Sequence, residues 1–361
     1  MRVMTVVGNR PQFIKAAAVS RGLRRVHEEL LVHTGQHHDP ELSEVFFDEL
    51  ELPGAEHRLE LGGGTNTEQT ARMLEALDPL LSTERPDCVL VYGDTNSTLA
   101  GGLAAAQRQV PVVHVEAGMR SFDPSMPEEL NRVLTDHLSS LLLCSSDTAV
   151  GNLKREAVRG QAVLVGDVMV DVWMAYAERA RGRKDVLADL DVAEGEYVLA
   201  TAHRAGNVDD PERLRALVEL LLALPGPVLV PLHPRTRARL GQAGLIDRLA
   251  DSSSVVLLAP LGYVEFTALL LGARAVVTDS GGVQKEAYLA GRPCLTLRDR
   301  TEWVETVQTG WNELVDLDVG RARAALEREA PRERPELYGD GRAGERVVEA
   351  LARLETGRPG P

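Results

Sequence analysis

Carboxylates follow apolar runs at two points in the first half of the sequence, and such carboxylates can exchange protons with a bound ligand. Asp94 follows the run at 88–92, and Glu116 follows the run at 112–115. A carboxylate at the end of a buried strand is expected to be paired or functional, because burying it alone is costly. We therefore expect a functional role for Glu116, whereas Asp94 either acts on a ligand or caps the helix that follows it.

The segment 127–138 adds a third carboxylate, Glu128, at the start of a predicted helix whose first position suits Pro127. Its apolar stripe, which we expect to face the core, consists of Leu130, Val133, Leu134, His137 and Leu138. A separate polar face holds Glu128, Asn131, Arg132 and Thr135 at helical spacing. This face is either solvated, with a Glu128–Arg132 pair, or it presents Glu128 to a ligand.

Basic residues follow the first apolar run, at 3–7, and begin another predicted helix. Arg10 precedes Pro11, and Lys15 lies about one turn further on. Since a helix N-terminus attracts anions, these side chains either bind one there or are solvated. None of the predicted strands is followed by a G-x-G-x-x-G, and there is no Walker A motif, which disfavours a nicotinamide cofactor and a P-loop NTPase.

Two histidines in the second half also follow apolar runs, and each has an arginine nearby. His203 lies in Thr-Ala-His-Arg at the end of the run 197–201, and His233 lies in Pro-Leu-His-Pro-Arg after the run 228–231. A single histidine of this kind is usually structural. Two of them with arginines at two strand ends favour a site that neutralises a phosphate.

A glycine-rich turn is the sharpest local signal. Ser280, Gly281 and Gly282 follow the run 275–278 and open a predicted helix. Exposed N–H groups and the helix dipole favour a phosphate there. Glu286, less than two turns later, is placed to accept two hydrogen bonds from a ribose diol. The alternative is a glycine-rich helix cap with a surface glutamate.

These segments need a scaffold in which many strands end at one edge of a sheet. Short apolar runs alternate with longer amphipathic stretches, as is typical of parallel strands linked by helices. The predicted strands are 3–7, 30–34, 88–92, 112–115, 141–144 and 162–165, then 197–201, 228–231, 255–258, 275–278 and 294–297. A pause near residue 170 predicts two doubly wound domains, 1–168 and 169–340, and a C-terminal helix and tail at 341–361 that pack back towards the first domain. Ligands bind at the carboxyl ends of such strands.

Length, charge and cysteine usage bound the class of protein. The 361 residues suffice for about two domains, and the net charge of −14 argues against a nucleic-acid partner. The three cysteines lack metal-ligand spacing and suit a reducing compartment. The sequence shows no signal-peptide pattern and no apolar run of membrane-spanning length. We therefore expect a cytoplasmic protein without a membrane partner.

Together the motifs resemble those of the non-hydrolysing UDP-N-acetylglucosamine 2-epimerases. The matching stretches are GNRPQFIK (8–15), TGQH (34–37), VYGDTNST (91–98), HVEAGMRSFDPSMPEELNR (114–132), GDVMVD (166–171), TAHR (201–204), PLHPRT (231–236), TDSGGVQKEA (278–287) and LRDRTEWVET (297–306). The resemblance implies an α/β fold of GT-B architecture, with two facing Rossmann-like doubly wound domains and a cleft between them. It also implies a homodimer that interconverts UDP-GlcNAc and UDP-ManNAc and needs no metal or other cofactor.

The resemblance further implies a role for each candidate residue. Asp94, Glu116 and Glu128 would be the acid/base groups, and His203 would assist the departure and return of UDP. The residues expected to bind the UDP-sugar are Arg10, Lys15, Arg132, His233, Ser280, Gly281, Gly282 and Glu286. In the family reaction UDP leaves C1 while a base removes the C2 proton, which gives 2-acetamidoglucal. Re-addition of UDP with a proton delivered to the opposite face completes the inversion.

The sequence departs from the family pattern at two places. Members activated by their own substrate carry a second glutamine shortly after Gln36, where this sequence has Asp39, so we expect hyperbolic kinetics. Ala205 and Gly206 replace the Arg-Glu or Ala-Glu pair that usually follows His-Arg. The rivals are a hydrolysing epimerase that releases ManNAc and UDP, an epimerase of UDP-2,3-diacetamido-2,3-dideoxyglucuronate, a GT-B glycosyltransferase with a UDP-sugar donor, and a non-catalytic nucleotide-sugar sensor.

Overall fold

The chain forms two compact units, and the backbone passes from one to the other and back. The computed structural model describes residues 1–36 and 52–355. Unit 1 combines Met1–Met174 with the chain from Glu336 onward, and unit 2 is Ala175–Pro335. The sequence pattern placed these boundaries after residues 168 and 340, whereas the first one falls inside the helix Val168–Arg181. Because the helical pattern runs through this point, periodicity does not mark it.

Helices and strands alternate along the described part of the chain. The helices are α1 (Arg10–Val26), α2 (Asn66–Glu84), α3 (Asn96–Gln107), α4 (Pro127–Leu138), α5 (Asp147–Arg155), α6 (Val168–Arg181), α7 (Lys184–Ala188), α8 (Ala205–Val208), α9 (Pro211–Ala223), α10 (Pro234–Gln242), α11 (Ile246–Ala250), α12 (Tyr263–Gly272), α13 (Gly281–Ala290), α14 (Val304–Gln308), α15 (Val319–Leu326) and α16 (Ala343–Glu355). Several begin with a proline or a side-chain cap. Asp210, for example, accepts hydrogen bonds from the Glu212 and Arg213 N–H groups at the start of α9.

Unit 1 is built on a parallel sheet. Its strands are β1 (Arg2–Val7), β2 (Glu28–His33), β3 (His57–Arg58), β4 (Cys88–Tyr92), β5 (Val112–Ala117), β6 (Leu141–Cys144) and β7 (Gln161–Leu164). Within the described ranges they pair side by side in the order β3-β2-β1-β4-β5-β6-β7, each neighbour parallel. The carboxyl ends of β1, β4 and β5 therefore lie next to one another at the same edge.

Alternate residues of the central strands pack on opposite faces of this sheet. Val3 and Leu90 join one buried cluster with side chains of α1 and α16. Met4 and Val89, one residue along in each strand, join a second cluster with side chains of α2 and α3. Since both faces are covered, the strands are apolar throughout, which is the pattern that the sequence showed.

The last described helix, α16, belongs to unit 1. Gly344 allows it to approach α1 closely, since a Cβ at this position would lie 2.3 Å from the Ala18 carbonyl oxygen. The Asp171 carboxylate accepts hydrogen bonds from the N–H groups of Ala343 and Gly344, at 3.0 and 2.7 Å. Burial raises the pKa of Asp171, although these two hydrogen bonds act in the opposite direction. Asp171 thus fixes the start of α16 to the end of the first segment of unit 1.

Unit 2 repeats the same architecture. Its strands are β8 (Val198–Thr201), β9 (Val228–Pro231), β10 (Val255–Leu258), β11 (Ala275–Thr278), β12 (Cys294–Thr296) and β13 (Asn312–Leu314). They pair in parallel in the order β10-β9-β8-β11-β12-β13. The prediction of an α/β fold with two Rossmann-like doubly wound halves is confirmed. The short strands β3 and β13 were not predicted.

The helix α4 has its faces the other way round from the prediction. Leu130 and Leu134, expected in the core, are 57% and 42% exposed. Asn131, Arg132 and Thr135, expected on a separate polar face, are buried. The buried face is stable because its polar groups have partners: Asn131 donates to the Asp94 carbonyl, and Thr135 donates to the Asn131 carbonyl. The polar stripe, not the apolar one, is directed into unit 1.

The three cysteines lie buried in the described part of the chain. Cys88, Cys144 and Cys294 are unbridged, and burial raises the pKa of each to about 12. Their thiols are therefore protonated and poorly reactive at neutral pH. Over the described ranges, no helix combines the length and the apolar character required to cross a bilayer.

Candidate active site

The end of β5 has an irregular backbone that presents Glu116. The pairing of β5 with β6 shifts register between Val115 and Ala117, and Glu116 has a φ of +68°. A non-glycine residue in this left-handed region is strained and persists only where its surroundings hold it. Two residues later, Gly118 also has a positive φ, and a Cβ there would lie 2.4 Å from the Ala149 carbonyl oxygen. The local bulge thus turns the Glu116 side chain out of the ladder.

Lys15 holds the Glu116 carboxylate. Its Nζ forms a hydrogen-bonded ion pair with Glu116 Oε2, and the two side chains are only 12% and 10% exposed. Gly93, at the end of β4, lies against the same pair: a Cβ at this position would be 3.0 Å from Lys15 Nζ and 3.2 Å from Glu116 Oε2. The cation predicted on α1 and the carboxylate predicted on β5 are therefore brought together.

Asp94 is held in the same way by a cation of α4. The Arg132 guanidinium is buried and pairs with the Asp94 carboxylate, which is about one-third exposed. The Asp94 main chain is also fixed, because Asn131 Nδ2 donates to its carbonyl oxygen at 3.0 Å. The buried face of α4 therefore positions Asp94.

The two adjacent glutamates of α4 differ in their surroundings. Glu128, the predicted site residue, lies in the first turn of the helix and is half-buried. Glu129 is buried, pairs with Arg132 at 3.2 Å, and accepts hydrogen bonds from the Ser121 N–H and hydroxyl and the Phe122 N–H at 2.9 Å each. Arg132 thus pairs with Asp94 and Glu129. Glu129 fixes the loop before α4, and the ligand-binding role of Glu128 stays a prediction.

Gln12 connects the ends of β1 and β4, and the sequence analysis did not single it out. Its side-chain oxygen accepts from the Gly8 N–H at 2.7 Å, and its Nε2 donates to the Tyr92 carbonyl at 2.8 Å and to Thr98 Oγ1 at 2.9 Å. Asn9 caps α1, so Arg10 is the first residue of that helix and is half-buried. The signal available in the sequence was a glutamine directly before the apolar residues Phe13 and Ile14.

Gln36 belongs to the same edge of the sheet. Its Oε1 accepts hydrogen bonds from the Ser97 N–H and hydroxyl at 3.0 and 2.7 Å. The prediction about substrate activation depends on Asp39, which lies outside the described residues, so it remains a prediction.

In unit 2, Asp279 fixes the loop that carries His203. The buried Asp279 carboxylate accepts from the His203 N–H at 3.0 Å, the Arg204 N–H at 3.0 Å and Asn207 Nδ2 at 3.1 Å. His203 Nδ1 lies 3.5 Å from the same carboxylate. The ring is more than one-third exposed, so one edge remains accessible to a ligand. Asp279 lies in the stretch TDSGGVQKEA (278–287), but its role as an anchor was not predicted.

The two predicted histidines of unit 2 are neighbours. The rings of His203 and His233 stack with their centroids 5.2 Å apart and their planes at 25°. His233 caps α10, because its Nδ1 accepts from the Arg235 N–H at 3.1 Å. The adjacent strand ends of β8 and β9 therefore bring the two rings together, as the sequence analysis expected.

The glycine-rich turn opens α13 as predicted, with Ser280 as the residue before the helix. Gly282 has space around it, since the nearest atom to a Cβ placed there would be Ser280 Oγ at 3.9 Å. At Gly281, in contrast, a Cβ would lie 2.5 Å from Glu302 Oε1. Glu302 is buried and pairs with Arg298 at 3.0 Å and with Arg204 at 3.6 Å. This carboxylate close to the start of α13 was not predicted.

Two charged residues of α13 are buried. Glu286 is only 5% exposed, so it is not the surface glutamate of the alternative interpretation. Lys285 is 1% exposed, and its ammonium lies 3.9 Å from the centre of the Trp303 ring, a cation–π contact. Buried charges of this kind are characteristic of functional sites as well as of ion-pair networks.

The chain is similar to known proteins over nearly its whole length. The sequence model of the family described as UDP-N-acetylglucosamine 2-epimerase matches residues 22–352. A relative from Pseudomonas aeruginosa, UDP-2,3-diacetamido-2,3-dideoxy-D-glucuronate 2-epimerase, is 45% identical over 98% of this chain and 100% of its own. A UDP-N-acetylglucosamine 2-epimerase homolog from Methanococcus maripaludis is 43% identical over the same shares.

The fold is also similar to that of a solved epimerase structure. The UDP-GlcNAc 2-epimerase of Methanocaldococcus jannaschii, crystallised with UDP-GlcNAc and UDP, superposes with a TM-score of 0.92. It is 39% identical, and the match covers 98% of this chain and 99% of that one. The chain described here belongs to the UDP-N-acetylglucosamine 2-epimerase family, and its class of activity is that of an epimerase.

Proposed function

We propose that this chain interconverts UDP-GlcNAc and UDP-ManNAc without hydrolysis, by elimination and re-addition of UDP. The observation that carries the proposal is the pair of strand-end carboxylates in unit 1, each held by its own cation. Lys15 holds Glu116, and Arg132 holds Asp94. Inversion at C2 removes a proton from one face and returns one to the other, so it needs two separate acid/base groups. A glycosyltransferase with a UDP-sugar donor needs one base only.

The bond changes of the proposed reaction balance without any added reagent. A carboxylate takes the C2 proton, and the electron pair of the C2–H bond forms the C1=C2 double bond. The C1–O bond breaks, and its electrons leave with UDP. A carboxylic acid then protonates C2 of 2-acetamidoglucal from the opposite face, while a phosphate oxygen of UDP forms the new bond to C1. Asp94, Glu116 and Glu128 are the proposed proton carriers.

The paired cations of unit 1 are proposed to orient the proton carriers. Lys15 fixes the orientation of the Glu116 carboxylate and Arg132 that of Asp94, and a fixed geometry allows a base to act on one face of a sugar. Arg10, at the start of α1, is proposed to interact with the diphosphate, because a helix N-terminus with a cation favours an anion.

Unit 2 is proposed to hold UDP. Ser280, Gly281 and Gly282 would donate to the diphosphate, and the open space around Gly282 supports this assignment. His203 would stabilise the charge on the departing phosphate, and its stacking partner His233 would contribute to the same cluster. Glu286 would accept hydrogen bonds from the ribose. The anchoring of the His203 loop by Asp279 supports a role that requires fixed geometry.

The test is incubation of the chain with UDP-GlcNAc in deuterated water. The proposal predicts deuterium at C2 of both recovered nucleotide sugars, transient 2-acetamidoglucal, and no release of ManNAc. Free ManNAc in step with UDP would instead identify a hydrolysing epimerase. Recovery of UDP-GlcNAc without deuterium would refute the proposal.

A second substrate belongs in the same experiment because of the 45% identical relative from Pseudomonas aeruginosa. The sugar in that relative's name also carries an acetamido group at C2, so the same elimination applies to it. UDP-2,3-diacetamido-2,3-dideoxyglucuronate is therefore assayed beside UDP-GlcNAc. A higher kcat/KM for the glucuronate would change the assigned substrate and keep the mechanism. A higher value for UDP-GlcNAc supports the proposal as stated.

A further inference from the structure

A row of three buried polar side chains and one half-buried glutamate lies beside the two paired carboxylates of unit 1. His114 Nδ1 is 2.7 Å from Asp136 Oδ1, and Asp136 Oδ2 is 2.7 Å from Arg120 Nη1. Arg120 in turn makes a two-point contact with Glu156, at 2.8 and 2.6 Å. The side chains of His114, Asp136 and Arg120 are at most 1% exposed. The proposed mechanism assigns no role to this row.

The His114 ring lies between a carbonyl oxygen and a carboxylate. Its Nε2 lies 2.6 Å from the Gly93 carbonyl oxygen, which is only an acceptor, so Nε2 donates. Its Nδ1 faces Asp136, which also accepts from Arg120 and from the Gly118 N–H at 3.1 Å. Burial alone would raise the pKa of Asp136, but His114 and Arg120 outweigh it and hold that pKa below the ordinary value. Asp136 thus accepts from Arg120 and from the Gly118 N–H, and it lies within hydrogen-bond distance of His114 Nδ1.

The row is attached to the backbone on both sides of the proposed proton carriers. Gly93, whose carbonyl accepts from His114, immediately precedes Asp94. Gly118, whose N–H donates to Asp136, follows Glu116 by two residues. Gly93 also lies against the Lys15–Glu116 pair, as the short approach of a Cβ at this position shows. A shift of Gly93 or Gly118 would therefore change the distance between the Asp94 and Glu116 carboxylates.

We infer that His114 and Asp136 are positioning residues for the epimerase reaction, which set the separation of the Asp94 and Glu116 carboxylates through Gly93 and Gly118. This inference rests on the proposed function. It explains the strained φ of +68° at Glu116, since Gly118, just beyond that residue, is held by a buried carboxylate. It also explains why His114 and Asp136, and not apolar side chains, are buried beside β5. Misplacement of a reacting group by about 1 Å costs roughly 100-fold in rate.

The test compares Asp136→Asn with a matched control, Glu29→Gln. Glu29 is also a buried carboxylate of unit 1 with three donors, namely Thr5, Ser20 and Arg24 at 2.7 to 2.9 Å. It lies at the amino end of β2, away from the carboxyl ends that carry Asp94 and Glu116. Both variants lose one buried charge, so both are expected to lose stability. Only Asp136→Asn is expected to lower kcat for C2 deuterium exchange, by roughly 10- to 100-fold, with KM and the Kd for UDP unchanged.

The results distinguish a failure of the positioning role from a failure of the proposed function. Equal kcat values for the two variants, or a loss in Asp136→Asn carried only by KM, would overturn the positioning role and leave the proposed function intact. A wild-type chain without C2 exchange would refute the proposed function and this inference with it. If Asp136→Asn does not fold, His114→Phe, which removes the hydrogen bond to the Gly93 carbonyl, is assayed in the same way. A lower kcat with an unchanged KM supports the inference, and a wild-type kcat overturns it.

Discussion

The proposed diphosphate site can be tested by a substitution at Gly282 that leaves the fold intact. Around a Cβ at this position the nearest atom is Ser280 Oγ at 3.9 Å, so the Cβ introduced by Gly282→Val meets no steric obstacle in unit 2. Valine and glycine differ in helix propensity by less than about 0.5 kcal/mol, in favour of valine. The free energy of unfolding should therefore stay within about 0.5 kcal/mol of the wild-type value.

UDP binding should respond very differently to the same substitution. The branched side chain would fill the space in which a phosphate approaches the start of α13. Hydrogen bonds between N–H groups and a charged phosphate are worth about 1.5 kcal/mol or more each. Loss of two of them costs at least about 3 kcal/mol, which corresponds to roughly a 100-fold weaker Kd. Isothermal titration with UDP measures this change directly, and a thermal melt of the same sample reports the fold.

Two further variants make the result decisive. Gly241→Val, in α10, is the matched control, because a Cβ there also has no atom within 4 Å and the residue is outside the proposed site. It should bind UDP like the wild type. Gly281→Ala should instead lower stability, since its Cβ would lie 2.5 Å from the buried Glu302 carboxylate. A Gly282→Val variant that binds UDP within about threefold of the wild type would refute the placement of the diphosphate.

Four more predictions concern the role of Glu116, the acid stability of the fold, the reactivity of the thiols and the kinetics. Glu116→Gln should reduce C2 deuterium exchange by roughly 100-fold or more while the Kd for UDP is unchanged, and near-normal exchange would contradict its role. Because the pKa of Asp136 is lowered in the fold, its stabilising contribution is present above its unfolded pKa of about 3.9 and is lost at lower pH. The difference in free energy of unfolding between wild type and Asp136→Asn should therefore shrink in urea titrations below about pH 4, and a constant difference would contradict this. The three buried thiols should resist iodoacetamide in the native chain and all react in denaturant, as counted by mass spectrometry. Rates against UDP-GlcNAc should be hyperbolic, and the reverse reaction should need no added UDP-GlcNAc; a sigmoidal curve would show that Asp39 was wrongly interpreted.

The candidate site was largely predictable because parallel strands end at a common edge. Asp94 and Glu116 are 22 positions apart in sequence, yet β4 and β5 are neighbours, so the two strand ends meet. The same reasoning brought His203 and His233 together at the ends of β8 and β9. A strand pattern predicts which residues share an edge without any knowledge of side-chain contacts.

The orientation of α4 could not be predicted in this way. Periodicity shows that a helix has two faces, and the apolar one is normally buried. Here the polar face is buried because partners from other segments satisfy it: Asp94 pairs with Arg132, and Ser121 and Phe122 donate to Glu129. Such pairings depend on distances between segments that are remote in sequence. The anchors Asp279 and Glu302 escaped prediction for the same reason.

The path of the chain has a consequence for its synthesis on the ribosome. Unit 2 is one continuous segment, Ala175–Pro335, whereas unit 1 is completed only by the helix Ala343–Glu355. Val347 and Leu351 of that helix are fully buried in a cluster that also contains Val19 and Leu23 of α1. During translation, the apolar surface of α1 that packs against this helix therefore stays exposed until residues 343–355 have been made. Unit 2 can fold earlier, since all its strands are synthesised before that helix. Unit 1 is therefore the first unit to be synthesised and the last to be completed.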